Sequence, residues 1–506
     1  MMLFAILVLM VSVTSQQSDK EAALAVSFDP EIPRTWDSAA ILDFELPLAD
    51  PSASPHPVTE EYYYSLPERV IYKSYPIYHP DYEPEGYQEW LLEQEPEIVF
   101  DPKTLKTEAD WIAAGEMLFD HPIDTFGAVV SNDAVRDPDF YTHTGVPLTK
   151  DGVMPYARFV IGKKGRVKVG NLSCGMCHSR VMNDGSVVKG AQGNFPGDKA
   201  TAWGLSQAPE RVTPWLTWVL FAAPWLAHDP NSELATKTRD EILLAYNAVP
   251  QGAFGRQGTS ILFPPQVQDL IGVKDRKYLD HGGLGRHRDI GDMMRYIAMN
   301  QSLDFLNTYK GFIPLADDGV LPPSDKVRKG FGSHDRYTDE QLYAIAKYVY
   351  SLEPPVNPNK PNALSRKGEV IFKEQGCVTC HTPPLFTNNM LTPADGFEIP
   401  EEHWDKYDIF GISVGTDPSY TLNTRRGTGY YKVPSLKGIW YRGPFFHNAW
   451  LATLEDVFDA RRVRDDYIPT AFRTPGKNSQ AVRGHEFALD LSDKDEKALI
   501  AYLRTL

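Results

Sequence analysis

The chain has 506 residues, 42% of them hydrophobic and 23% charged, an ordinary globular balance that excludes wholesale disorder and leaves room for two or three domains. A formal net charge of -16 argues against nucleic-acid binding, which calls for a basic footprint, and suits a protein that meets a basic partner.

Residues 1–16 read as a signal peptide: an apolar run from Leu3 to Met10, too short to span a bilayer, leads into the small and polar Val13-Thr14-Ser15. The run lacks a basic leader, so a retained anchor is the alternative. Export is the expectation, with a periplasmic or secreted product and no integral membrane span after processing. Residues 17–105 are rich in Pro, Tyr and acidic side chains, as in Tyr75-Pro-Ile-Tyr-His-Pro-Asp-Tyr82. Repeated prolines forbid long helices, so this extension is expected to be irregular and laid over a domain surface.

From residue 106 the chain repeats itself. A first unit, 106–355, opens on Gly115-Glu-Met-Leu-Phe119, carries Cys174-Gly-Met-Cys-His178 and closes on Thr338 to Leu352. A second, 356–506, opens on Gly368-Glu-Val-Ile-Phe372, carries Cys377-Val-Thr-Cys-His381 and closes on Ser492 to Leu506. Both closers predict amphipathic helices. Thr338 and Ser492 are N-caps, with Gln341 and Asp495 three positions on. Leu342, Ile345, Val349 and Leu352 recur at helical spacing, as do Leu499, Tyr502, Leu503 and Leu506. Pro354-Pro355 ends the first closer and begins the linker. The expected fold is mainly α: two cytochrome c-like haem domains, the first heavily elaborated, behind the Pro/Tyr-rich extension.

All four cysteines lie in the two Cys-x-x-Cys-His pentapeptides. Thiols three positions apart on one turn can form thioethers to both vinyl groups of a haem, and the adjacent histidine then sits under the iron. A zinc ribbon would bring its cysteine pairs close in sequence, and a thioredoxin-type pair would need a βαβ setting. Two covalently bound haem c groups are therefore expected, on Cys174 and Cys177 with His178, and on Cys377 and Cys380 with His381.

The sixth ligands decide the chemistry, because iron bound on both faces transfers electrons whereas an open face binds oxygen or peroxide. For the second haem, Met390 is too near in sequence to wrap round the ring. His485 is the favoured ligand, His447 the alternative, and His403 amid Glu401, Glu402 and Asp405 reads as a structural histidine. For the first haem, His228, His281, His287, Met182, Met293, Met294 and Met299 are available. The last three read as helix core. Arg286 and Arg288 beside the histidines either meet haem propionates or are solvated. Trp215, Trp218, Trp225 and Phe221 either line an apolar pocket or lie between the haems, with ordinary helix core the expected role.

The segment from Tyr431 to Val457, with Gly443-Pro-Phe-Phe-His-Asn-Ala-Trp450 at its centre, resembles the signature of the di-haem cytochrome c peroxidases and the methylamine-utilisation di-haem enzyme. With Gly484-His485-Glu486 and the final helix it is closest to the rubber-oxygenase-like branch of that superfamily. The resemblance covers the second unit, reaches the first only through its haem motif and layout, and leaves out the extension. It implies one electron-transfer haem and one reactive haem. Peroxidases of the superfamily place a methionine ligand after the Phe-His motif, where this chain has Arg461-Arg-Val-Arg-Asp-Asp466. The rubber-oxygenase branch is similar in having a bis-histidine C-terminal haem, which suits His485, and an open N-terminal one. This chain is shorter than a rubber oxygenase, so polymer cleavage is one option among several. The expected function is a di-haem oxidoreductase acting on peroxide or dioxygen at the His178 haem. Its expected partners are a small-molecule or apolar substrate and a small electron-donor or acceptor protein. The alternatives are a pure electron-transfer cytochrome, with both haems six-coordinate, and a di-haem sensor or assembly partner.

Overall fold

A computed structural model describes residues 28–123, 129–226, 229, 231–301, 306–310 and 335–506; the expected signal peptide and His228 lie outside the described residues. The architecture is mixed: helices joined by long irregular segments, with several small antiparallel sheets.

Each half is framed by two helices, and the frames match. In the first, helix Glu108–Asp120 packs against helix Asp339–Ser351; in the second, helix Ala363–Glu374 packs against helix Asp493–Leu503. The caps anticipated from the sequence start both closers. The Thr338 hydroxyl accepts from the Gln341 N–H at 3.2 Å and Ser492 accepts from Asp495 at 3.3 Å, each contributing about 1 kcal/mol. The frames cross at a glycine in both halves. A Cβ on Gly115 would meet the Ala344 carbonyl oxygen at 1.9 Å and the Tyr348 Cβ at 2.7 Å; on Gly368 it would meet those of Ala498 and Tyr502 at 1.9 and 2.8 Å. The duplication read from short motifs is thus a duplication of packing. In both places only hydrogen lets one backbone approach the other so closely.

The first half departs from a mainly α expectation. A three-stranded antiparallel sheet runs in the order Ser74–Tyr78, Val153–Lys163, Arg166–Gly170, pairing Tyr75 with Phe159 and Phe159 with Val169. Gly165, at φ +75°, turns the hairpin. The outer strand comes from the Pro/Tyr-rich extension, where Pro76 is tolerated because an edge strand need not donate on both sides. Its Tyr75 and Ile77 join Met154, Tyr156, Phe159 and Val169 in a core that reaches Met176, inside the first cysteine turn. A second core gathers Trp36, Phe44, Tyr63 and Ile71 of the extension around the first helix pair. The extension therefore supplies core to the first unit as well as covering it. Met293, Met294 and Met299 of helix Ile290–Gln301 are buried in that second core, as read from their spacing.

In helix Val212–Phe221, Phe221 is buried as expected, whereas Trp215 is 50% exposed and not core. Trp225 lies beyond the helix, stacked on Tyr309 at 4.5 Å. Among the described residues no helix is long and apolar enough to cross a membrane.

Candidate haem sites

Both pentapeptides fold into the same single turn. Ser173 caps the first, its hydroxyl accepting from the Met176 N–H at 3.0 Å, and Gly376, at φ +73°, starts the second. In each, the histidine N–H closes back on the carbonyl of the leading cysteine: His178 to Cys174 and His381 to Cys377, both at 2.9 Å.

Each imidazole is oriented by a carbonyl. His178 Nδ1–H donates to the Gln268 carbonyl at 2.9 Å; His381 Nδ1–H is shared between the carbonyls of Phe386 and Pro434, each at 3.2 Å. Because a carbonyl only accepts, the proton in both rings is on Nδ1, and the Nε2 lone pair is left for a metal. Burial holds His178 down at about 4, with the nearby Arg256 charge adding to it, and also lowers His381, so both rings are neutral ligands at neutral pH. Burial pushes the Cys174 thiol up to about 12 and Cys177 and Cys377 up to about 11. No three His, Cys, Asp or Glu side chains among the described residues gather to hold an ion.

The residues of both turns fit a haem in their chemistry: free paired cysteines beside a neutral imidazole. Cys174, Cys177 and His178 are enclosed by protein deeply enough to shift their protonation, yet each is only half-buried. In the second half, the His485 ring faces that of His381 with centroids 6.3 Å apart. Two imidazoles bound to one metal through facing nitrogens at about 2.0 Å have centroids on the order of 6 Å apart. His485 Nδ1 is buried without a hydrogen-bond partner. Burial, followed by the neighbouring His381 and Arg462, pushes His485 down to about 3, so it too is neutral.

His485 is held by a clamp that sequence reasoning missed. Arg462 is fully buried, and its guanidinium donates to the carbonyls of Val457 (2.9 Å), Val482 (2.5 Å), Gly484 (3.0 Å) and His485 (2.8 Å). The His485 N–H donates to the Val414 carbonyl at 2.6 Å. A Cβ on Gly484 would lie 2.3 Å from the Thr416 nitrogen, and His485 itself takes a left-handed φ of +49°. The arginine stretch noted for its lack of methionine thus contains the residue that secures the facing histidine. Its only signal was an arginine run in place of an expected ligand.

The other candidates have other partners. His447 Nε2 lies 3.1 Å from the Tyr431 hydroxyl and its Nδ1 lies 3.4 Å from Thr416, with the Tyr431 ring at 4.4 Å; no ring contact joins it to His381. His403 meets the Tyr430 hydroxyl at 2.9 Å. His287 donates to the Arg276 carbonyl at 2.6 Å and accepts from the Tyr350 hydroxyl at 2.5 Å, which uses both nitrogens. His281 Nε2–H donates to the Gln266 carbonyl at 2.7 Å. Met182 packs beside Ala191, Ile271 and Tyr441. Arg286 and Arg288, read as propionate partners or solvated charges, both pair with Asp43 at 2.6 Å. Among the described residues no aromatic or imidazole ring faces His178.

The cation next to the first turn is Arg256, whose charge bears on both Cys177 and His178. It lies 3.5 Å from Asp280, which Arg426 approaches at 3.6 Å and to which the Tyr420 hydroxyl donates at 2.6 Å. Burial alone would raise Asp280, but the two guanidinium groups hold it well below the usual carboxylate range. Close by, Asp198 has no such cation among the described residues, and burial pushes it up to about 7.

The similarity of the chain is to haem peroxidases of the cytochrome c type, the superfamily that the 431–457 segment resembles. Three of its relatives show the range. A cytochrome-c peroxidase, IdrP1, of Denitromonas iodatirespirans is 25% identical over 163 residues, 29% of this chain and 40% of that protein. The methylamine utilization protein MauG of Methylorubrum extorquens is 23% identical over 231 residues, 41% and 54% of the two. A cytochrome c551 peroxidase of Nitrosomonas europaea is 26% identical over 147 residues, 27% and 40%. The chain thus spans between 40% and 54% of the length of these relatives. No family model matches it. Among solved structures, a chain of Kuenenia stuttgartiensis hydrazine synthase covers 60% of this chain and 92% of its own length at 14% identity, with a TM-score of 0.30 that carries no argument.

Proposed function

We propose that this protein is a secreted or periplasmic di-haem oxidoreductase. Two haem c groups are attached, one to Cys174 and Cys177 with His178 as ligand, one to Cys377 and Cys380 with His381 as ligand. Residues 106–355 and 356–506 form the two haem domains. Bound there, haem supplies iron redox chemistry: electron transfer in the second domain, and activation of peroxide or dioxygen in the first.

The observation that carries this reading is an asymmetry between two otherwise equivalent turns. His381 is faced by a neutral imidazole at 6.3 Å, held by Arg462, which suits a six-coordinate centre that needs no reorganisation to pass electrons. His178 has no such partner among the described residues, and the thiols beside it are only half-buried. The carbonyls of Gln268 and Pro434 keep both Nε2 lone pairs available, and Arg256 contributes positive charge beside the first turn. The acidic surface suits a small basic electron-transfer protein as redox partner.

The test is a paired assay on purified holoprotein: peroxide reduction with a chemical electron donor, against oxygen-dependent cleavage of an alkene. Turnover in either supports the reading and names its substrate class. Turnover in neither, with both haems present, supports the pure electron-transfer cytochrome instead.

A further inference from the structure

The two proximal histidines are joined by a short connection that neither haem turn contains. His178 donates to the backbone carbonyl of Gln268, and the side chain of the same Gln268 accepts from Lys432 Nζ at 2.5 Å. Two residues beyond Lys432, the Pro434 carbonyl accepts from His381. One side-chain hydrogen bond and one dipeptide of backbone therefore link the acceptor of one proximal imidazole to the acceptor of the other.

The connection is braced throughout. Strand Tyr430–Lys432 pairs with strand Leu391–Pro393, with Thr392 opposite Tyr431. The Lys432 N–H donates to the His281 carbonyl at 2.9 Å, the Val433 N–H to that of Met390 at 3.0 Å, and the Thr387 hydroxyl to that of Val433 at 2.7 Å.

Lys432 is an expensive residue in this place. Its ammonium is enclosed by protein and forms no ion pair with a carboxylate among the described residues; its partners are the neutral Gln268 amide and, at 3.5 Å, the Tyr278 carbonyl. Burial, with Arg276 next, pushes it down to about 7. A packing role would be served by methionine without that desolvation cost.

We propose that Lys432 is a positioning residue that couples the two proximal histidines, fixing through Gln268 the carbonyl that orients His178, and setting with its charge the reduction potential of the haem that His178 holds. The inference rests on both turns carrying haem. Removing a positive charge beside a haem favours the oxidised state of its iron, which lowers that midpoint.

The experiment is an optical redox titration of the full-length holoprotein at pH 6, where the amine is cationic, comparing wild type with Lys432→Met and Lys432→Arg. In Lys432→Met the oxidised-to-reduced ratio of the His178 haem, read at the wild-type midpoint, rises about threefold to tenfold. The His381 haem moves less, and haem content is unchanged. Lys432→Arg restores most of the shift. Unmoved midpoints in a Lys432→Met protein with both haems overturn the coupling. If that variant does not accumulate, Gln268→Met is read in its place: it keeps the carbonyl that His178 uses and removes only the acceptor of Lys432. Wild-type potentials in Gln268→Met overturn the coupling through Gln268. A wild-type protein that binds no haem at the two turns defeats the di-haem reading instead.

Discussion

In the second half of the molecule, His381 looks across 6.3 Å at His485, and a buried arginine ties the facing loop down through four carbonyls. In the first half, His178 sits on the same kind of turn, within the same glycine-crossed helix pair, yet no ring faces it among the described residues. A repeated scaffold therefore does not repeat its surroundings. The scaffold secures the cysteines and the proximal imidazole; the segments between its parts decide what lies opposite. In the second unit those segments are short and contribute Arg462 and His485. In the first they build a sheet with a strand of the extension, and contribute Arg256 and Asp280 to a polar cluster that Tyr420 and Arg426 of the second unit complete.

The largest effects fall on the shared turns. Replacing Cys174 and Cys177 together by alanine, or Cys377 and Cys380 together, is expected to remove one covalent haem in each case, halving the pyridine haemochrome signal per chain. A double variant that keeps the full signal would break the equivalence of the turns.

Next comes the facing ligand. His485→Ala should convert the second haem from low to high spin in the optical spectrum of the oxidised protein, leaving the first unchanged. Arg462→Met should produce a partial version, because the loop loses its four carbonyl bonds while keeping its histidine. A surviving low-spin signal in His485→Ala would move the assignment to another residue.

Gly115→Ala and Gly368→Ala test the scaffold. Each new methyl would sit 1.9 Å from a carbonyl oxygen, so each should cost about 3 kcal/mol or more, read as a lowered Tm, in matching amounts if the crossings are equivalent.

The smallest effect separates the halves by pH. Asp198, in the first unit, keeps its proton up to about 7 through burial, whereas the unfolded chain loses it near 3.9. The unfolded state therefore holds fewer protons between these values, and stability falls as pH rises from about 4 to about 7, by an amount on the order of 3 kcal/mol. Asp198→Asn should flatten that slope in denaturant titrations, and an unchanged slope would exclude Asp198 as its source.

The helix frames and the Cys-x-x-Cys-His turns were legible in the sequence because their signals are local: a cap three residues from its partner, a 3.6-residue period, a five-residue motif. The sheet was not. Val153 to Gly170 carries a hairpin pattern of β-branched and aromatic residues around Lys164-Gly165, but its third strand is a Pro-containing segment far back in the chain, and pairing at that range leaves no local trace. The same reason separates the ligand candidates. His287, Arg286 and Arg288 looked available because Tyr350 and Asp43, which engage them, are remote in sequence. His485 could be shortlisted but not singled out, because its position opposite His381 depends on Arg462 and on the Val414 carbonyl.

The central claim is that the two centres differ in their open coordination position. It is tested most directly by the electron paramagnetic resonance spectrum of the oxidised holoprotein, recorded before and after adding cyanide. The account predicts one high-spin signal that cyanide abolishes and one low-spin signal that it leaves untouched. Two low-spin signals, both indifferent to cyanide, would contradict it.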